Sequence, residues 1–492
     1  MQSLSKKDPC PCGKLKSNGK PRKYKNCCFQ KQGSSTKDFV RNSEPRKGFN
    51  ESEDILIQVA DGSFLRMWSY PNVFYSPQKE LCDLLVVFEN KVIIFSDKRS
   101  EIKELNEVNW KRWHNRAIEK SIKQATTAKG RILKGMPVYT DSKCLEEIPI
   151  EFPKPQDMKV YLVCVANGAT KACRDFYGDS RGSLFVSSLK TPPPIPFIVD
   201  LITEKDEFVH VLDDLSLKNV LENLDTITDF TDYLCEKEEF MRKVGVLTGG
   251  EEDLLATYLK SFNEEDKKRD FSDLEKQGMD FLYLEEGIWE SYIENPQYLA
   301  KKEADEVSYL WDFIIERFTE HSIKGTQYLP NPNGVSGTEQ AIRMMAKERR
   351  FFRRILSKSL SDLVAKPEGN GVRRRFAKSP ENEEAGYAFL AMRKEDGMNE
   401  DEYRKMRREL LYAMCLVYKY RFPELKIITG LATETSDCVS NNRYSEDVVS
   451  YQADELSEQE KEDAEYLSKE MGILDGKNTA WYNASDQEYP TS

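Results

Sequence analysis

A chain of 492 residues with 39% apolar and 32% charged side chains is longer than one core usually supports, so two or three domains are expected. No run of eighteen or more apolar residues occurs, which excludes a membrane-spanning helix, and the N-terminus lacks the apolar stretch of a secretory signal. The net charge of −11 argues against a general polyanion binder, although residues 1–50 carry thirteen Lys and Arg against three Asp and Glu, a basic arm on an acidic body.

Residues 1–30 hold Cys10, Cys12, Cys27 and Cys28, a C-x-C pair and a C-C pair separated by a basic loop. Four thiolates at this spacing suit a tetrahedral zinc ion. Pro11, Gly13, Gly19 and Pro21 supply the tight turns, while Lys14, Lys23 and Lys25 offset the thiolate charge. Most other cysteines stand singly in apolar runs, as Cys164 in YLVCVANG and Cys415 in YAMCLVY, which fits reduced thiols in a cytoplasmic protein. Residues 31–49, polar with Gly, Ser and Pro, form a basic linker.

From residue 50 the apolar content rises. The runs LLVVF (84–88) and VIIF (92–95) flank Glu89-Asn90-Lys91 and predict a hairpin. Residues 106–133 lack Pro and carry Ile118, Ile122, Ala125 and Ala128 at helical spacing. Strands are predicted at 159–166 and 208–213, with the Pro-rich 189–197 as a connection. Residues 215–365 read as helical with few strands, and Thr338–Leu363 as one long amphipathic helix. Beyond 370 the expected order is strand (386–392), helix (400–420), strand (426–432) and helix (456–472). The expected architecture is mixed α/β: a zinc knuckle (1–30), the linker (31–49), an α/β domain (50–215), a helical region (216–368), a small α/β domain (369–480) and a tail (481–492).

The predicted hairpin carries a second constellation. Asp83 opens one strand and Ser96-Asp97-Lys98 ends its partner, so Asp83 and Lys98 should be neighbours. Ser96 and Lys98 share a face, and Asp97 points away if the strand is regular. Carboxylates of this kind hold Mg²⁺ or Mn²⁺, and an adjacent Lys can orient water or offset developing charge. Asp97 becomes a second ligand if the strand bulges; otherwise Glu80 can supply the missing oxygen. On the following helix, Trp110, Lys111, Arg112, Trp113 and Arg116 offer aromatic and cationic groups to a phosphate backbone.

The segment PCPCGKLKSNGKPRKYKNCC resembles the SEC-C zinc motif at Cys10, Cys12, Gly13, Tyr24, Lys25, Cys27 and Cys28, with a longer loop and Lys14 in place of the usual Ser. That resemblance implies structural zinc and, by analogy, contact with a protein or the ribosome. The order Asp, hairpin, x-Lys and helix resembles the PD-(D/E)XK nucleases, whose restriction-endonuclease-like fold is then expected for 50–215. It implies a catalytic set of Asp83, Asp97 or Glu80, Lys98 and Gln124, magnesium on Asp83 and Asp97, and nucleic acid, DNA first, as substrate. Ser96 stands where the family carries its middle acid. The wider segment looks like bacterial SEC-C-bearing proteins of undefined role, some of which are suspected of anti-phage defence. The alternative is a non-catalytic adaptor that uses the knuckle on a degenerate nuclease scaffold.

The remaining signals are weaker. Lys347, Arg349, Arg350, Arg353, Arg354 and Lys358 lie on one predicted helix and are expected to be solvated around an apolar stripe, with phosphate tracking as the alternative. Arg373-Arg374-Arg375 is a similar basic patch. His114 can approach a phosphate, His210 has a structural role and His321 is exposed. No Ser-His-Asp set, G-x-S-x-G elbow, Walker A loop or dinucleotide fingerprint occurs.

Overall fold

The computed structural model describes residues 46, 48, 51–104, 106–178, 180–189, 195–265, 267–365, 371–395, 397–435, 445–477, 479–480 and 485–490. Cys10, Cys12, Cys27 and Cys28 lie outside the described residues, as does nearly all of the linker. No helix among the described residues is long and apolar enough to cross a membrane, and every described cysteine is free.

The protein is mixed α/β. Helix α1 (Glu51–Phe64) precedes β1 (Ser69–Ser76), β2 (Lys79–Phe88) and β3 (Lys91–Arg99). Leu56, Ala60 and Phe64 recur at helical spacing and are buried, which fixes α1 on the sheet through a Phe64–Phe95 ring contact at 5.9 Å and against the helix Ile227–Lys243 through Phe64–Phe230 at 5.2 Å. The β2–β3 hairpin turns on Glu89 and Asn90 alone. Lys91 already pairs with Phe88, and Glu89 adopts the positive φ of 50° that a tight hairpin turn demands. Next come α2 (Glu107–His114), a π-helical turn over Asn115–Glu119 and α3 (Lys120–Ile132), so the single helix predicted for 106–133 contains a π-bulge. Strand β4 (Lys159–Asn167) returns parallel to β3, the right partner for a crossover through a helix. With β7 (His210–Leu212) the first sheet has the order β1-β2-β3-β4-β7.

A second sheet, β6-β5-β8-β9, joins β5 (Phe185–Ser187) and β6 (Ile198–Asp200) to β8 (Gly245–Thr248) and β9 (Phe281–Leu284). Its strands β8 and β9 interrupt the segment expected to be helical with few strands. Between and after these strands lie α4 (Thr170–Tyr177), α5 (Ser216–Asn223), α6 (Ile227–Lys243), α7 (Glu251–Lys260), α8 (Ile288–Ile293), α9 (Pro296–Asp305), α10 (Tyr309–Ile323), α11 (Gly334–Lys347) and α12 (Arg350–Ala365). The long helix expected at 338–363 is thus two helices. Glu348 breaks it by adopting an extended conformation (ψ 133°), its buried carboxylate accepting from Ser379 and Tyr387. One hydrophobic cluster runs from Leu56 to Leu363 and reaches Tyr387, Phe389 and Leu431, so 50–215 and 216–368 share a core.

The third sheet, β10-β11-β12-β13, comprises β10 (Val372–Lys378), β11 (Ala385–Met392), β12 (Ile427–Glu434) and β13 (Asp447–Gln452), with β11 and β12 parallel. Helix α13 (Glu400–Arg421) is the crossover, and α14 (Glu458–Glu470) packs on it. The strands and helices expected after 370 are all present, with β10 and β13 added at the edges.

The basic helix departs from expectation. Arg350, Arg353 and Arg354 are buried. Arg350 donates to Asp225 and Asp312, each at 2.7 Å, and Arg354 to Asp305 at 3.2 Å. Arg349 and Lys347 pair with Asp232 and Glu89. These cations are internal ties, so α12 is neither a solvated face nor a phosphate track. Arg374 and Arg375 likewise donate to the carbonyls of Met471 and Ser359.

Candidate active site: the acidic end of the hairpin

The β2–β3 ladder runs from Leu84–Phe95 to Phe88–Lys91, and beyond it polar side chains replace apolar ones. There the Asp97 backbone N–H donates to Asp83 Oδ2 at 2.6 Å, and Lys98 Nζ donates to the same oxygen at 3.2 Å and to the Asp97 carbonyl at 2.9 Å. Asp83 and Lys98 are therefore neighbours, as alternation predicts. Asp83 is buried while Lys98 keeps a third of its side chain exposed, which leaves its ammonium within reach of a ligand.

Helix α3 covers the same face. Ser121 Oγ donates to the Ser96 carbonyl at 2.8 Å, and Ser96 Oγ to Gln124 Oε1 at 3.1 Å. Gln124 thus joins the site through Ser96.

Asp97 lies on the opposite face. Strand β3 pairs with β4 residue for residue from Lys91 to Arg99, so it has no bulge to swing Asp97 beside Asp83. This corrects one route by which Asp97 was expected to become a ligand. Asp97 Oδ1 instead accepts from Ser52 Oγ on α1 at 2.9 Å and from Asn167 Nδ2 on β4 at 2.7 Å. Gly168 permits this turn: it takes φ +93°, and a Cβ there would stand 2.6 Å from the Ser100 carbonyl oxygen. Burial lifts Asp97 to about 6; the Ser52 hydrogen bond opposes this and the Asp83 charge adds to it.

The bulge is on β2. Val73 pairs with Cys82 and the next residue, Phe74, with Glu80, so β2 carries one extra residue, Leu81, between them. Without it Glu80 would share a face with Cys82; the extra residue re-aims it toward Asp83. The two carboxyl groups meet closely enough to share a proton. Burial first, then the charge and hydrogen bond of Asp83, lift Glu80 to about 7, with Glu53 adding and Lys98 opposing. Glu80 Oε1 is shielded from solvent and has no hydrogen-bond partner.

Two more residues belong to this corner and are not signalled by the sequence. Glu53, buried on α1, acts on both Glu80 and Asp97. Asn72, at φ +49°, sits between the Pro71–Leu84 and Val73–Cys82 pairs, level with Asp83, and its buried Oδ1 lacks a partner. Glu53, Asp83 and Lys98 thus all act on both Glu80 and Asp97, the two acids raising their pKa and Lys98 lowering it. Among the described residues no three Asp, Glu, His or Cys converge tightly enough to enclose a metal ion.

The helix expected to meet phosphate is only half available. Trp113 is buried and stacks on Trp110 at 5.3 Å, and Trp110 leans on Phe197. Both indoles serve the core. Lys111, Arg112, Arg116, Lys120 and Lys123 remain exposed, while His114 faces Glu119 at 3.5 Å and burial lowers its pKa. His210 is buried, with burial and the nearby Lys237 depressing its pKa; His321 is exposed. No protein-family model, curated protein or solved structure matches this chain.

Proposed function

We propose that the protein is a metal-dependent nuclease of the PD-(D/E)XK type whose centre is the 80–98 corner. The observation that carries this reading is the convergence of Glu80, Asp83 and Lys98 where β2 and β3 part, within an α–β–β–β–α–β order. Asp83 and Glu80 would hold Mg²⁺ or Mn²⁺. The donor set fits, because these are hard carboxylate oxygens, one of them buried without a partner, and Mg²⁺ takes one or two carboxylates and completes its shell with water and substrate phosphate. A bound divalent ion supplies Lewis-acid stabilisation of charge on the scissile phosphate. Lys98 donates hydrogen bonds to the attacking water or to the phosphate oxygen it approaches. Gln124 holds Ser96, and Asp97 braces the corner through Ser52 and Asn167. The exposed cations of α2 and α3 track the backbone of the nucleic acid, DNA first. Cys10, Cys12, Cys27 and Cys28 would bind a structural zinc ion, and the basic arm would recruit nucleic acid or a partner. Such an activity would serve anti-phage defence in a bacterial cytoplasm.

The adaptor reading keeps one specific support: the acid seat holds Ser96, already engaged by Gln124. The deciding experiment is cleavage of linear DNA, supercoiled DNA and RNA by wild type and Lys98→Ala with Mg²⁺, Mn²⁺ or EDTA. Metal-dependent cutting that Lys98→Ala abolishes is expected. Failure of wild type to cut any of these substrates, with no metal-induced rise in Tm that Asp83→Ala removes, overturns the nuclease and leaves the adaptor.

A further inference from the structure

A cleft of about 740 Å³ opens between α10, α11 and the loop joining them on one side and α13 and β13 on the other. Its floor is a set of arginines whose acids are already taken. Arg317 pairs with Glu446 at 3.3 Å. Arg404 donates to Asp447 Oδ1 at 2.8 Å, and Arg407, behind it, to Asp447 Oδ2 at 2.8 Å. Arg404 also lies over the Tyr328 ring at 4.0 Å, and its Nε is shielded from solvent without a partner.

Arg408 lies one helical turn further along α13 and also lines the cleft. It makes no hydrogen bond or ion pair among the described residues, and its Nη1 is shielded from water. A desolvated charged donor without an acceptor is costly, and a guanidinium fork fits a phosphate bidentately. The volume falls in the range of small-molecule sites. At the rim stand Tyr328, 46% exposed, and the exposed amide of Gln340, groups suited to stacking on and hydrogen-bonding a planar polar base.

We propose that this cleft binds a phosphorylated small molecule of nucleotide size, with Arg408 seating the phosphate and the Tyr328–Gln340 rim meeting the base. The site is separate from the hairpin corner, and the proposal does not depend on the nuclease reading. The full chain is titrated calorimetrically with a mixture of the four ribonucleoside 5′-monophosphates, with the four unphosphorylated nucleosides and with inorganic phosphate. Each titration is repeated on Arg408→Gln and Gln340→Trp. The monophosphates should bind saturably and inorganic phosphate should compete. Arg408→Gln should weaken binding by about tenfold or more without lowering the Tm, since Arg408 makes no hydrogen bond or ion pair among the described residues. Gln340→Trp, an exposed change that fills the mouth, should weaken it too. No monophosphate binding at millimolar concentration, equal binding by wild type and Arg408→Gln, or nucleosides binding as tightly as their monophosphates would each overturn the proposal.

Discussion

Replacing Glu80 by Gln should stabilise the metal-free protein above neutral pH and leave it unchanged in mild acid. In the unfolded chain Glu80 ionises near 4.5, and in the fold near 7, because burial and the Asp83 charge oppose its ionisation. The folded state holds this proton more tightly, so stability declines as pH rises from 4.5 through 7 and the loss is complete above it. Fully shielded, the difference would be about 3 kcal/mol, at about 1.36 kcal/mol per pH unit. Glu80 is only half-buried, and solvent screening reduces the figure to about 1–2 kcal/mol. Gln mimics the protonated acid, so the two proteins should unfold at the same urea concentration near pH 4, begin to part above about pH 4.5 and differ fully above pH 7, the variant being the more stable. Mn²⁺ should close the gap by stabilising wild type, since a bound cation replaces the missing proton. A variant no more stable than wild type above pH 8, or a gap equally large at pH 5, would refute the idea that unpaired carboxylate charge is concentrated at this corner.

Two further outcomes follow from other parts of the molecule. Arg350→Met should cost about 3 kcal/mol, because it takes the guanidinium from buried Asp225 and leaves buried Asp312 with Arg353 alone; urea unfolding measures this, and a loss under about 1 kcal/mol would show that the pairs contribute little. Chelation should release one zinc ion per chain and leave the unfolding transition of the body unchanged, with metal analysis and circular dichroism as the readouts; protein purified under reducing conditions without zinc would rule out the knuckle.

What could be read in advance follows from how local each signal is. The hairpin, β4, β11 and α13 are long apolar or amphipathic runs, each sufficient to declare its own period. The second sheet consists of strands of three or four residues, held by partners some sixty residues away in sequence, as Val186 is by Thr248, and strands that short carry no period. The break at Glu348 has no Gly or Pro to announce it; its cause is tertiary, through Ser379 and Tyr387. Burial of Arg350, Arg353 and Arg354 was invisible for the same reason. Their counter-ions lie on α9, on α10 and in the Leu224–Thr226 turn, so the local sequence shows only an excess of positive charge.

The corner itself divides along the same line. Alternation along β2 and β3 is enough to bring Asp83, Ser96 and Lys98 to one face, and helical spacing brings Gln124 over them. Register irregularities are not written in a single strand, so the choice between Asp97 and Glu80 could not be made from sequence. A bulge can re-aim an acid on either strand of a hairpin. On β3 it would have broken the pairing with β4, which continues residue for residue to Arg99. On β2 it falls where the β2–β3 ladder has already ended at Leu84 and only the β1 side must adjust. Asn72, level with Asp83 in the left-handed region, lies on that same adjusting side. The bulge sits on β2 between Val73–Cys82 and Phe74–Glu80, while β3 stays in register with β4, and in that position it delivers Glu80, rather than Asp97, to the face that carries Asp83 and Lys98.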